Sequence, residues 1–228
     1  MNTVIGVDGC KAGWVSCWLD LVSKQVTVHL HECFSGLLFD SPRASIIAVD
    51  VPIGLADGYV GRCCDALARK VLGARRNSVF TPPRRAALVC DDYRSACDVN
   101  RAACGKAMSQ QAFHIMKKIR EVDNSVEPAL QIRVFEAHPE VSFWAMQGGT
   151  SMAFHKATTR GRNDRRIELE RHFGNLPALD FPKRAVAEDD FFDALACTWT
   201  ATRIADGIAR LLTDNSRDSR GLRIAISY

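Results

Sequence analysis

Three short apolar runs each close on a carboxylate: Val4-Ile-Gly-Val-Asp8, Ser45-Ile-Ile-Ala-Val-Asp50 and Gln131-Ile-Arg-Val-Phe-Glu136. Runs of this length, rich in Val and Ile and bounded by turn residues, are strand signals. The second is apolar on both faces, as a strand covered on both sides must be. In an open sheet with parallel strands, the carboxyl ends of the strands share one rim, and ligands bind there. A chain that repeats strand-then-acid is therefore constrained towards an α/β sheet that lines its rim with carboxylates.

The remaining segments fit around that sheet. Trp14–Asp20 and Gln25–His31 read as two further strands joined by a polar turn, with Val26, Val28 and Leu30 alternating along the second. The first three strands form an antiparallel meander. From about Tyr59 to Asn124 the pattern turns helical. Cys64, Leu67, Ala68, Val71 and Leu72 lie on one helical stripe stopped by Gly73, and Ser109 caps a stripe of Ala112, Ile115, Met116 and Ile119. Two prolines mark Arg75–Arg85 as a loop. A last long helix is expected over residues 188–212, followed by a short terminal strand. The predicted architecture is α/β: a mixed five-stranded sheet flanked by helices, one domain over residues 1–228, with a basic helical insertion at 59–125.

Net charge is +4, but residues 62–120 hold 13 Lys/Arg against 4 Asp/Glu, a local +9 that leaves −5 elsewhere. Such a block suits a polyanionic partner, nucleic acid or another phosphate-bearing ligand. No apolar run approaches the ~20 residues of a membrane span, so no membrane association is expected. The chain shows no secretory signal, and its nine cysteines read as reduced thiols of a cytoplasmic protein. Cys90, Cys97 and Cys104 recur every seven residues, which is not zinc spacing. His138 is read equally as a proton carrier or as a hydrogen-bonded turn residue.

The last helix adds a second set of acids. Asp190 and Asp193 are i, i+3 and share a face with Cys197 and Ala201. Asp189 is the expected helix-capping acid, whereas Asp193 lies too far along the helix for that task. Asp8, Asp50, Glu136, Asp190 and Asp193 are thus candidate catalytic residues. Crowded carboxylates repel one another, and Mg²⁺ or Mn²⁺ with oxygen ligands is the usual remedy. Arg75 and Arg84, on the proline-stiffened loop, suit phosphate contact by guanidinium forks. Lys156, Arg162 and Arg165 suit charge neutralisation at a transferring phosphate.

The segments IGVDGCKAGWV, AVDVPIGL, RCCDALARKVLGARRNSVFTPPR, FEAHPEVSF, KATTRGRNDRR and EDDFFDALACTWTA resemble, end to end, a family of predicted RNase H-like nucleases, domain-of-unknown-function family 429. The opening strand–Asp–Gly turn and the Asp190-Phe-Phe-Asp193-Ala194 helix also resemble the wider ribonuclease H-like superfamily, with RuvC-like resolvases as distant relatives. The resemblance implies an RNase H-like fold, Asp8, Glu136, Asp190 and Asp193 as metal ligands, and hydrolysis of phosphodiester bonds in nucleic acid. It also marks Arg62, Arg69, Arg75, Arg84, Lys156 and Arg165 as motif positions that suit a defined phosphate-bearing ligand. Two other readings share the fold: a non-catalytic module binding nucleic acid or a phosphorylated small molecule, and an actin-like phosphotransferase or ATPase. The latter needs a duplicated half, and the sequence shows no internal repeat.

Overall fold

The computed structural model describes residues 2–228. Its centre is a five-stranded sheet built from β1 (Thr3–Cys10), β2 (Gly13–Asp20), β3 (Val26–His31), β4 (Ile46–Val49) and β5 (Val134–Glu136). The spatial order is β3-β2-β1-β4-β5. β1 pairs antiparallel with β2, and β2 with β3, while β4 lies parallel to β1 and β5 parallel to β4. This is the expected mixed sheet with an antiparallel first half.

Seven α-helices flank it: α1 (Phe34–Asp40), α2 (Cys63–Leu72), α3 (Tyr93–Cys104), α4 (Gln110–Ser125), α5 (Pro139–Met146), α6 (Thr159–Phe173) and α7 (Glu188–Ala205). A small ribbon of β6 (Leu211–Leu212) and β7 (Ile226–Ser227) closes the chain. Among the described residues, no helix is long and apolar enough to cross a membrane. Two elements are shorter than their sequence pattern predicts. Gln131 and Ile132 sit in a 3₁₀ turn that Pro128 opens, so β5 begins only at Val134. α7 stops at Ala205 rather than at residue 212, and Ile208 beyond it is 56% exposed.

The pleat sorts the sheet into two faces, because side chains alternate along a strand. Ile5, Val7, Ile47, Val49 and Val134 pack with Phe34 and Leu37 of α1 and Met116, Ile119 and Val122 of α4. Val4, Ile46, Ala48 and Phe135 turn the other way, with Cys197 and Ala201 of α7. The α7 contact is unusually close. A Cβ on Gly6 would lie 2.0 Å from Thr198 N and 2.1 Å from Ala194 O, so only glycine lets the helix backbone rest on β1. The Thr198 hydroxyl also donates to Cys17 O across that contact. α7 is thereby laid over the centre of the sheet, with its N-terminal turns at the rim where β1 and β4 end.

A carboxylate centre at the sheet rim

Asp8 lies near the end of β1, and Asp50 directly follows β4. Asp50 N donates to Val7 O, which continues the parallel register, so the two acids stand side by side. Both have the parity of Val4 and Ala48 and point to the α7 side of the sheet. From α7, Asp193 points down onto them. One carboxylate oxygen from each of Asp8, Asp50 and Asp193 lies within 4.8 Å of the others. Asp8 is 9% and Asp193 3% exposed, and Asp50 is half-buried.

Lys156 completes the centre. Its Nζ donates to Asp193 Oδ2 at 2.5 Å. Burial and the neighbouring Asp50 and Asp193 charges raise the Asp8 carboxyl well above the usual carboxylate range. Burial and Asp193 push Asp50 up to about 8. Burial raises Asp193 as well, with Lys156 pulling the other way. For Lys156 burial opposes the charge, but Asp193, Asp8 and Asp50 outweigh it and hold the ammonium protonated. These directions describe three carboxyls crowded in one small desolvated space, whose ionisation a single ammonium does not offset.

Asp190 stands at the edge of the group. Its Oδ2 accepts from Ala187 N at 3.0 Å, so Asp190, rather than Asp189, caps α7. Burial and the adjacent acids push its carboxyl up to about 6.

Glu136 is not brought to the trio. Its register partner is Val49, so it has the parity of Val49 and points to the face opposite Asp50. There Arg62 Nη2 donates to both carboxylate oxygens at 2.6 and 2.5 Å, and Ile53 N donates to Oε2. Burial pushes Glu136 up to about 7 against the pull of Arg62. With Cys64 and Asp65 it forms a second buried group, whose one resident cation is Arg62. Pleat parity thus places Glu136, expected in one metal set with Asp8 and Asp193, in this separate group.

The arginines expected to contact phosphate each have a partner within the protein itself. Arg62 is 5% exposed and paired as above. Arg69 donates to Val79 O and Phe80 O, tying the proline loop to α2. Arg75 donates to Met152 O. Arg84, 6% exposed, donates to Tyr59 O. Arg162 donates to Ala157 O and pairs with Glu188. Arg165, 1% exposed, pairs with Glu140 and donates to Phe154 O and Gly161 O. Arginine forks suit backbone carbonyls as well as phosphates, and here they fasten loops.

Two features of the site went unread in the sequence. Glu140, in the first turn of α5, is 8% exposed, and its Oε2 has no hydrogen-bond partner among the described residues. Its charge reaches Asp50 and Asp193. Its only sequence signal was its place at a helix start after His138-Pro139. The other is an open groove of about 520 Å³ beside the rim, lined by Gly9, Cys10, Gln111, His114, Ile115 and Lys118. It is formed where α4 faces the β1–β2 turn, a long-range contact that no local pattern announces.

Fold and site together define an α/β protein whose mixed sheet gathers three aspartates and a lysine on one rim. The chain belongs to the family described as Protein of unknown function (DUF429), whose model matches residues 6–217. No curated protein and no solved structure matches it.

Proposed function

We propose that this protein is a divalent-metal-dependent hydrolase of phosphodiester bonds in nucleic acid, of RNase H-like type. The observation that carries the reading is the convergence of Asp8, Asp50 and Asp193 from two adjacent parallel strands and a crossing helix. The donor set fits Mg²⁺ or Mn²⁺: all oxygen, close enough to share an ion, and desolvated so that the carboxylates gain from a cation between them. Such an ion, when bound, lowers the pKa of a coordinated water and steadies a phosphate's developing charge.

The chain's own residues supply the rest. Asp8, Asp50 and Asp193 would hold the ion, with Asp190 fixing the start of α7 that presents Asp193. The groove of Gln111, His114 and Lys118 leads away from Gly9 and Cys10, one and two residues past Asp8. Lys118 itself donates to Gly13 O, so the exposed charge beside the groove comes from Lys11 and Lys117, nearby in sequence. We assign the substrate backbone to this groove, because Arg62, Arg69, Arg75 and Arg84 are committed to internal partners. The same commitment removes the support for a module that binds phosphate through those arginines alone.

The test is cleavage of single-stranded, duplex and branched DNA and RNA in Mg²⁺ or Mn²⁺, by wild type and Asp8→Asn. Metal-dependent cutting that Asp8→Asn loses supports the reading. Equal silence of both on every substrate overturns it.

A further inference from the structure

Lys156 is held with more care than a charge-balancing surface lysine needs. It lies in the 147–158 connection between α5 and α6, a segment without helix or strand of its own. Five contacts fix that segment from outside or from its end. Arg75 donates to Met152 O at 2.8 Å, Ser151 Oγ to Leu72 O at 2.8 Å, and Arg165 Nη1 to Phe154 O at 3.1 Å. The Thr158 hydroxyl donates to His155 O at 2.8 Å and accepts from Gly161 N. A Cβ on Gly161 would stand 2.1 Å from His155 O, so the first turn of α6 seats this segment only because residue 161 is glycine. Arg165 is itself fixed by Glu140 in the protein interior. The result is one ammonium delivered at 2.5 Å to Asp193, the most buried acid of the trio.

Charge then limits what else the centre takes. Asp8, Asp50 and Asp193 bring three negative charges, and Lys156 returns one. One divalent ion closes the balance. Two divalent ions beside Lys156 would place five positive charges against three aspartates, or against four with Asp190, in a desolvated space where like charges are costly. Lys156 also occupies space at the trio, because its Nζ bonds Asp193 Oδ2 directly.

We propose that Lys156 is the resident cation of this centre: its ammonium holds the place that a second divalent ion takes in two-ion phosphodiester hydrolases, so the site accepts a single Mg²⁺ or Mn²⁺. The proposal rests on the reading of the trio as a divalent-metal site. It assigns Lys156 a fixed contact with Asp193 in addition to the charge neutralisation at a phosphate that its sequence position suggests.

The test is Mn²⁺ binding, followed by the loss of the free-ion EPR signal and by calorimetry, on metal-free wild type, Lys156→Met, Lys156→Gln and Asp8→Asn. Melting in EDTA checks that each is folded, and the two neutral variants guard against one failing to fold. The expected result is one Mn²⁺ per wild-type chain and two per Lys156→Met or Lys156→Gln chain. The second ion in the variants binds at least about tenfold tighter than any second-ion binding to wild type. The variants' bound Mn²⁺ shows spin coupling of ions about 4 Å apart, and the wild type's does not. Two coupled ions in wild type would overturn the role of Lys156 and leave the metal reading standing. So would one ion in both wild type and variants. No ion in wild type would overturn the metal reading and the proposal together.

Discussion

Neutralising a carboxylate that is thought to bind metal should stabilise the metal-free protein, and Asp50→Asn is the sharpest case. The Asp50 carboxyl rises from 3.8 to about 8 in the folded state, through burial and the Asp193 charge. The two values lie about 4 pH units apart, which at ~1.4 kcal/mol per pH unit sets a ceiling near 5–6 kcal/mol. Asp50 is half-buried and its repulsion is shared with Asp8 and Asp193, so about 1–3 kcal/mol is the working figure. The sign follows from linkage. A raised folded pKa means that the native state holds a proton the unfolded chain has released. The destabilisation therefore grows as pH rises from about 4 to about 8, then levels off. At pH 5 only about one of the four units has been charged, so about a quarter of the effect remains. In EDTA, Asp50→Asn should melt about 3–8 °C above wild type at pH 8 and close to it at pH 5. Saturating Mn²⁺ should reverse the order, raising wild type and leaving the variant unmoved. A variant that melts lower at pH 8, or that keeps the same advantage at both pH values, would refute the electrostatic account of the centre.

Four further outcomes follow from named contacts. Glu136→Gln should bind Mn²⁺ as wild type does, because Glu136 faces away from the trio; a loss matching that of Asp8→Asn in the same titration would place Glu136 back among the ligands. Arg62→Met leaves Glu136 buried without its cation and should lower stability by about 3–5 kcal/mol in urea unfolding. Gly6→Ala drives a methyl into the α7 backbone and should cost at least about 3 kcal/mol or abolish folding, read from the urea midpoint or soluble yield. Arg165→Met removes the buried partner of Glu140 and the hold on Phe154 O. It should speed amide exchange across residues 151–158 well before α7 is affected, and uniform exchange across the chain would count against the bracing.

The sheet was legible because its signals are local. Alternation in Val26, Val28 and Leu30 and the doubly apolar Ile46–Val49 each report one strand's surroundings, and both strands appear where the pattern puts them. The pair Asp8 and Asp50 was legible for the same reason: each closes a strand, and the two strands are neighbours. Glu136 carries the same local signature but a different meaning. β5 enters the sheet with Val134 opposite Ile47, and one residue of register decides which face its terminal acid takes. The apolar pattern of Gln131–Glu136 does not announce that register. It is set by the 3₁₀ turn at Pro128–Ile132 and by the Gln131 side chain, which exchanges hydrogen bonds with the Arg223 backbone about 90 residues away.

The arginines show a second limit, and a physical reason for it. A guanidinium presents the same fork to a phosphate as to a pair of carbonyls, so the residue type cannot say which it will meet. What separates the two is whether the chain around it has backbone carbonyls to satisfy. The segments 73–90 and 147–158 are long, proline- or glycine-bearing and poor in regular ladder hydrogen bonds, and Arg69, Arg75 and Arg165 answer that shortage. Both braced segments converge on the centre, since 73–90 adjoins the crevice lined by Asp50, Phe80, Pro82, His138 and, from the Arg62 side, Asp65 and Glu136, and 147–158 carries Lys156. The basic block is therefore connected to the carboxylates after all, through the stiffness it gives the loops around them. A rigid frame of this kind is what a buried like-charge cluster requires, because without it the aspartates would move apart into water and lose the geometry that lets them share an ion.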